Sequence, residues 1–272
     1  MKGLFAVLMV IGLCEPLQAA RLVVAGGAIT EIVYALGGGD DLVAVDATSR
    51  WPMAARKLPN IGYVRALSAE GIAALRPDHV LLSHDAGPDH AVAKLSRLAP
   101  VTRLTAVTEP AALPELVREV ASLINRKERG EKLAASLEFS IEQLKGDVNG
   151  AAKPRVLFLL SAGSHGVMVA GHGTPAQSML DWLALENAAA DIEGYKPLSR
   201  EAALMLEPDV LIVAETQLNS FQIANHSELS HTEAVRHGRV LIADAGWLLG
   251  LGPRLPEALQ AVIAVASVGE SH

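Results

Sequence analysis

From residue 21 onward, short apolar runs alternate with longer segments in which apolar residues recur every three or four positions. The short runs "RLVVAGG" (21–27), "DLVAVD" (41–46), "HVLLS" (79–83) and "VTRLT" (101–105) are bounded by turn-forming residues and predict strands. Between them, 28–37, 68–77 and 89–99 have helical spacing; Gly37 closes the first and Pro77 stops the second. Strand and helix in alternation predict β-α-β units and a parallel sheet. The texture changes from 114 to 148, where no strand-like run occurs. Leu116, Val120, Leu123 and Ile124 keep a three-to-four spacing there, which predicts one long helix or two near-collinear ones, with Gly130 as the break or dent. "NGAAKP" (149–154) reads as a turn. The alternation then resumes, with strands at 155–161, 166–171, 209–214 and 238–244. Helices are predicted at 174–184, 199–208 and 254–267, with Thr174 as the N-cap of the first and Pro175 in its first turn.

The pattern contains a repeat. "LSAEGIAALRPDHVLL" (67–82) aligns with "LSREAALMLEPDVLIV" (198–213) at a constant offset of 131, with Leu, Ser, Glu, Leu, Pro and Asp identical at six positions. Each copy reads as a capped helix ended by Pro-Asp that feeds a buried strand. One such unit is a common αβ turn. Two of them on either side of a helical segment predict two similar lobes with a ligand cleft between them. The expected fold is α/β: an N-terminal lobe (21–113), a linking helix (114–148) and a C-terminal lobe (149–272), each lobe a parallel sheet flanked by helices.

The first twenty residues stand apart. Lys2, an apolar run at 3–13, Pro16 and the small pair Ala19–Ala20 have the shape of a secretory signal, expected to be cleaved near Ala20. The run is too short for a membrane-spanning helix, which needs about 20 residues. Cys14, the only cysteine, raises lipoprotein anchoring as the less favoured alternative, because Leu13 before it is bulky. Removal of the signal would leave no thiol, hence no disulfide and no cysteine metal site. Half of the 272 residues are apolar and only 4% aromatic, which makes an Ala, Val, Leu and Ile core. A net charge of −7 with both signs dispersed and no basic stripe excludes nucleic acid as an expected partner.

The chemistry concentrates in "IGYVRALSAEG" (61–71). Tyr63 lies in a loop just before the predicted N-cap Ser68, with Arg65 two residues on. An ordinary phenol has a pKa of about 10. A ferric iron or a nearby cation favours the phenolate, which is a good axial ligand for haem iron. A half-buried loop tyrosine with a solvated arginine would have the same spacing. The wider stretch 46–88 resembles the N-terminal lobe of the periplasmic hemin-binding proteins of ABC haem importers, which carry a Gly-Tyr-x-Arg-x-Leu-Ser-Ala-Glu-Gly run. The resemblance continues at 169–180, 194–204 and 248–258, and so covers nearly all of the chain after the signal. It implies hemin (haem b) as transported ligand, Tyr63 on the iron and Arg65 in support.

The resemblance also implies that Glu70 and Glu201, one per repeat copy, dock on arginines of a two-fold permease that works with an ATPase. An outer-membrane haem receptor would stand upstream. A capping-box role at the helix start explains the same glutamates locally. His172, in a Gly-flanked loop, is the candidate second contact and possible second iron ligand. Arg254 is expected to meet a propionate or to cap the last helix, with Arg50 as a similar candidate. His84 stands where relatives are expected to carry an acid. The remaining histidines are scattered and lack zinc-site spacing.

Two other functions fit parts of the pattern. The same fold could carry cobalamin or a ferric siderophore. The glycine-rich turn in "VVAGGAITEIVYALGGG" admits a nucleotide-dependent enzyme, but it lacks G-x-G-x-x-G spacing and a clear ribose-binding acid. No serine triad or paired carboxylates stand out, so a binding protein and not an enzyme is expected.

Overall fold

The computed structural model describes residues 20–145, 153–162, 166–199, 203 and 205–267. The signal-like residues 1–19, with Cys14, and Glu201 lie outside them. The N-terminal lobe has strands β1 (Leu22–Ala25), β2 (Leu42–Val45), β3 (His79–Leu82) and β4 (Val101–Arg103), all parallel in the order β2-β1-β3-β4. Helices α1 (Gly27–Ala35), α2 (Ala69–Ala73) and α3 (Asp89–Leu95) connect them.

The C-terminal lobe holds β5 (Arg155–Ser161), β6 (Val167–Ala170), β7 (Glu186–Asn187), β8 (Tyr195–Pro197), β9 (Val210–Glu215) and β10 (Val240–Asp244). Its helices are α6 (Pro175–Trp182), α7 (Glu233–Arg236), α8 (Ala245–Leu249) and α9 (Leu255–Ser267). The strand order is β10-β9-β5-β6-β8, with β7 also on β5. This sheet corrects the expectation of a purely parallel one: β7, β9 and β10 run parallel in it, but β6 is antiparallel to both β5 and β8. The reason is connection length. A parallel neighbour needs a crossover of a dozen or more residues, and only residues 162–166 join β5 to β6.

The linking segment is helical, but it is neither a single rod nor two collinear ones. α4 (Leu113–Leu123) ends in a Schellman motif: Asn125 takes φ 56°, its N–H donates to the Ser122 carbonyl, and the Arg126 N–H donates to the Ala121 carbonyl at 2.8 Å. The chain then reverses into α5 (Lys127–Gln143). Arg118 reaches both Glu131 (3.1 Å) and Glu138 (3.3 Å). In a straight helix residues 118 and 138 would be about 30 Å apart. Gly130 is neither break nor dent. It is where the two helices touch, since a Cβ there would lie 2.2 Å from the Ala121 Cβ.

Strand periodicity assigns the core. Leu22 and Val24 of β1, Val156 and Phe158 of β5, and Val210 and Ile212 of β9 enter one cluster shared with α4, α5 and α9. The alternate residues Val23 and Ala25 enter a cluster private to the N-terminal lobe. Leu157, Leu159, Leu211 and Val213 enter one private to the C-terminal lobe. Both sheets are therefore buried on both faces, as their near-continuous apolar runs require. Each presents one face to a common core built around the helical hairpin.

The repeat has matching geometry. The Asp78 and Asp209 carboxylates each accept the main-chain N–H of the arginine that leads into the lobe's first strand, Arg21 and Arg155, both at 2.8 Å. Arg76 and Glu207, also 131 apart, both take positive φ, 49° and 39°, just before the Pro-Asp pair.

Candidate functional site

The loop carrying Tyr63 is pinned on both sides. Val45 and Asn60 form a parallel bridge that prolongs β2, and the Ala47 N–H donates to the Gly62 carbonyl at 2.8 Å. Gly62, at φ 93°, makes the reversal, and its N–H is held by Asn60 Oδ1 at 2.7 Å. On the other side, the Gly87 N–H donates to the Val64 carbonyl and the Leu67 N–H to the Gly87 carbonyl. Val64 and Leu67 are buried anchors. With Val64 turned inward, its neighbours Tyr63 and Arg65 are turned outward, and Tyr63 is 49% exposed. A phenol on a fixed backbone with half its surface free is preorganised for a ligand.

Arg65 is held in place. Its Nε and Nη2 donate to Asp85 Oδ2 at 2.9 and 2.7 Å, and the Ser83 hydroxyl donates to the other carboxylate oxygen. Burial pushes the Asp85 carboxyl up, but the hydrogen bonds from Ser83 and Arg65 and the charge of Arg65 together hold it below the usual carboxylate range. Tyr195 of β8 is half-buried, and burial raises its phenol while Arg65 pulls it back. Arg65 therefore stands within electrostatic reach of a phenol from each lobe.

Tyr63, Arg65, His84 and Asp85 line a cavity of about 310 Å³ at the carboxyl ends of the N-terminal strands, closed from the other lobe by Gly246, Gly250 and Leu251. A second cavity of about 610 Å³ adjoins it, sharing Glu31, Thr48 and Gly246, and opens between Trp51 of one lobe and Leu218 of the other. Together they form the inter-lobe cleft.

Arg254 and Arg50 line the second cavity, and each is paired across the lobes. Arg254 forks onto Glu31 of α1 (Nε–Oε2 2.9 Å, Nη2–Oε1 2.6 Å) with its guanidinium 4.9 Å from the Trp51 ring centroid. Arg50 crosses in the opposite sense, to Asp244 at 2.7 Å and to the Thr216 carbonyl. Two reciprocal ion pairs in the cleft wall thus tie the lobes together. Burial lifts the Glu31 carboxyl above its ordinary range, a rise only partly offset by Arg254.

His172 is exposed on a loop tied to residues 192–194 by main-chain hydrogen bonds, and is not among the residues lining the Tyr63 cavity. Glu70 lies in the first turn of α2, two residues past the Ser68 cap, whose hydroxyl accepts the Gly71 N–H at 3.2 Å; its carboxylate pairs with Lys94 of α3 on the surface. The glycine-rich turn after β1 is already satisfied: the Gly26 N–H donates to Asp46 and the Gly27 N–H to Thr48 Oγ1, both at 3.0 Å. Those two amides are not available to a phosphate.

Asp85, Glu31 and Arg56 escaped the sequence reading. A counter-ion for Arg65 could have been sought among nearby loop acids. Glu31 and Arg56 carry no local signal, because only the fold brings them to the cleft.

A cleft at the carboxyl ends of two α/β lobes defines a class of ligand-binding proteins. Residues 22–245 match the model of the periplasmic binding protein family, and the chain belongs to it. It is similar to the periplasmic heme-binding protein RhuT from Roseiflexus sp. RS-1, solved in apo form, with 36% identity, a TM-score of 0.84 and 92% of this chain covered by 98% of that one. It is also similar to an uncharacterised ABC transporter substrate-binding lipoprotein of Bacillus subtilis (27% identity over 239 residues; 85% of this chain, 74% of that one). A vitamin B12-binding protein of Pectobacterium carotovorum is 27% identical over 239 residues, covering 86% of this chain and 83% of its own length.

Proposed function

We propose that this protein is the substrate-binding component of an ABC haem importer. It takes hemin into the inter-lobe cleft and delivers it to a permease dimer coupled to an ATPase. One observation carries the reading: Tyr63 stands half-exposed on a doubly pinned loop at the cleft, beside an arginine locked by Asp85. Its phenol oxygen serves as the ligand of the ferric iron, with Arg65 beside it. The likeness to RhuT supports the same cargo. Export is directed by residues 1–20, and Glu70 and Glu201 register the two lobes on the permease. At the Glu70 end, docking exchanges Lys94 for a permease cation. Charges of this kind steer and orient a partner more than they add affinity.

The test is an absorbance titration of the mature protein with hemin. A high-spin ferric spectrum is expected, with most of the affinity lost in Tyr63→Ala. Undiminished affinity in that variant would sink the assignment. The second reading, cobalamin as cargo, is favoured by the B12-binding relative. It predicts cobalamin binding that is indifferent to Tyr63→Ala.

A further inference from the structure

The larger half of the cleft combines an apolar wall with arginines. Trp51, Met53 and Leu218 are 46, 56 and 58% exposed and face the cavity from both lobes, with Trp247 beside them. Large apolar side chains left open on both sides of a cleft mark a place for an apolar ligand. Three arginines line the same cavity: Arg50, Arg56 and Arg254. Two are already committed, Arg254 to Glu31 and Arg50 to Asp244. Turning either toward a ligand would strand a partly or fully buried carboxylate, which is costly. Arg56 differs. Among the described residues its side chain makes one hydrogen bond, a donation to the Met53 sulfur at 3.6 Å, and no carboxylate pairs with it.

We infer that Arg56 recognises a carboxylate on the edge of the bound ligand, a propionate group whose macrocycle lies against Trp51, Met53 and Leu218. The inference rests on the haem reading and adds which cation selects the acid edge. An arginine with no internal partner forms a charge-assisted fork with a carboxylate without breaking anything first. The two cavities adjoin at Glu31, Thr48 and Gly246, which line both, so the proposed ligand lies along the cleft with its iron toward Tyr63 and its acid edge toward Arg56.

The experiment compares hemin with hemin dimethyl ester, which keeps the ring and iron but has no free carboxylate. Both are titrated against the mature wild-type protein, Arg56→Gln and Arg56→Lys. The wild type is expected to prefer hemin by about tenfold, the scale of one charged hydrogen-bonded pair. Arg56→Gln should lose that preference by weakening hemin alone, and Arg56→Lys should recover part of it. Hemin affinity unchanged in Arg56→Gln overturns the inference, as does an equal loss for hemin and ester, which would mean packing. Failure of the haem reading shows differently, as a wild type that binds neither compound or a Tyr63→Ala variant that binds hemin undiminished.

Discussion

At the scale of single residues, the site is a chain of three side chains, Ser83 to Asp85 to Arg65, that sets the field around Tyr63. Because the Asp85 pKa is depressed in the fold, the pairing stabilises the protein at pH values above the unfolded value of about 3.9. It is lost as pH falls through the lower folded value. Arg65 is mostly exposed, so the stability at stake is about 1 kcal/mol or less. Asp85→Asn should therefore be slightly less stable than wild type in denaturant at pH 7, with the gap narrowing as the pH is taken below about 3.9. A gap of the same size at pH 7 and below that value would refute the argument. Tyr63 and Arg65 stood out in the sequence because the Gly-Tyr-x-Arg run that presents them is local, as is the Ser68 cap that follows it. Asp85 was not, because nothing in "SHDAGP" says which loop it faces.

At the scale of elements, the reversal between α4 and α5 shapes the joint between the lobes. Gly130 permits the close approach. Alanine would raise helix propensity by about 1 kcal/mol. A Cβ at 2.2 Å from Ala121 would cost more, about 1–3 kcal/mol of overpacking, so Gly130→Ala is expected to lower the denaturation midpoint. Adding Ala121→Gly should restore part of it. A Gly130→Ala protein as stable as wild type would mean that the helices part easily. Spacing alone predicted the helices and the Ser68 and Thr174 caps, whose hydrogen bonds span three residues. It could not distinguish a straight linker from a folded one. The apolar stripes are the same in both, and the decision lies in the left-handed turn at Asn125 and in contacts twenty residues apart.

For the whole molecule, the two crossed ion pairs and the common core make the lobes a stiff pair, which favours small adjustments around a ligand over wide closure. Arg254→Ala leaves the largely buried Glu31 unpaired and should cost about 3 kcal/mol in denaturant unfolding. Arg254→Met combined with Glu31→Gln should cost much less than the two single changes added together. Strictly additive losses would show that the pair does not act as a unit.

By itself, the sequence determined what depends on neighbours along the chain. That covers the main strands from β1 to β6 and β9 to β10, the Ser68 and Thr174 caps, the repeated Pro-Asp turn and the two-lobe plan, but not the short β7, β8, α7 and α8. Only the tertiary structure decided what depends on meetings across the chain. It paired Arg254 with Glu31, 223 residues away, made the C-terminal sheet mixed, folded the linker and left Arg56 as the cleft arginine without a carboxylate partner among the described residues. The physical reason is range. Periodicity, capping and turn chemistry act over a few residues, whereas the partner of a charge is set by which surfaces the packed core brings together.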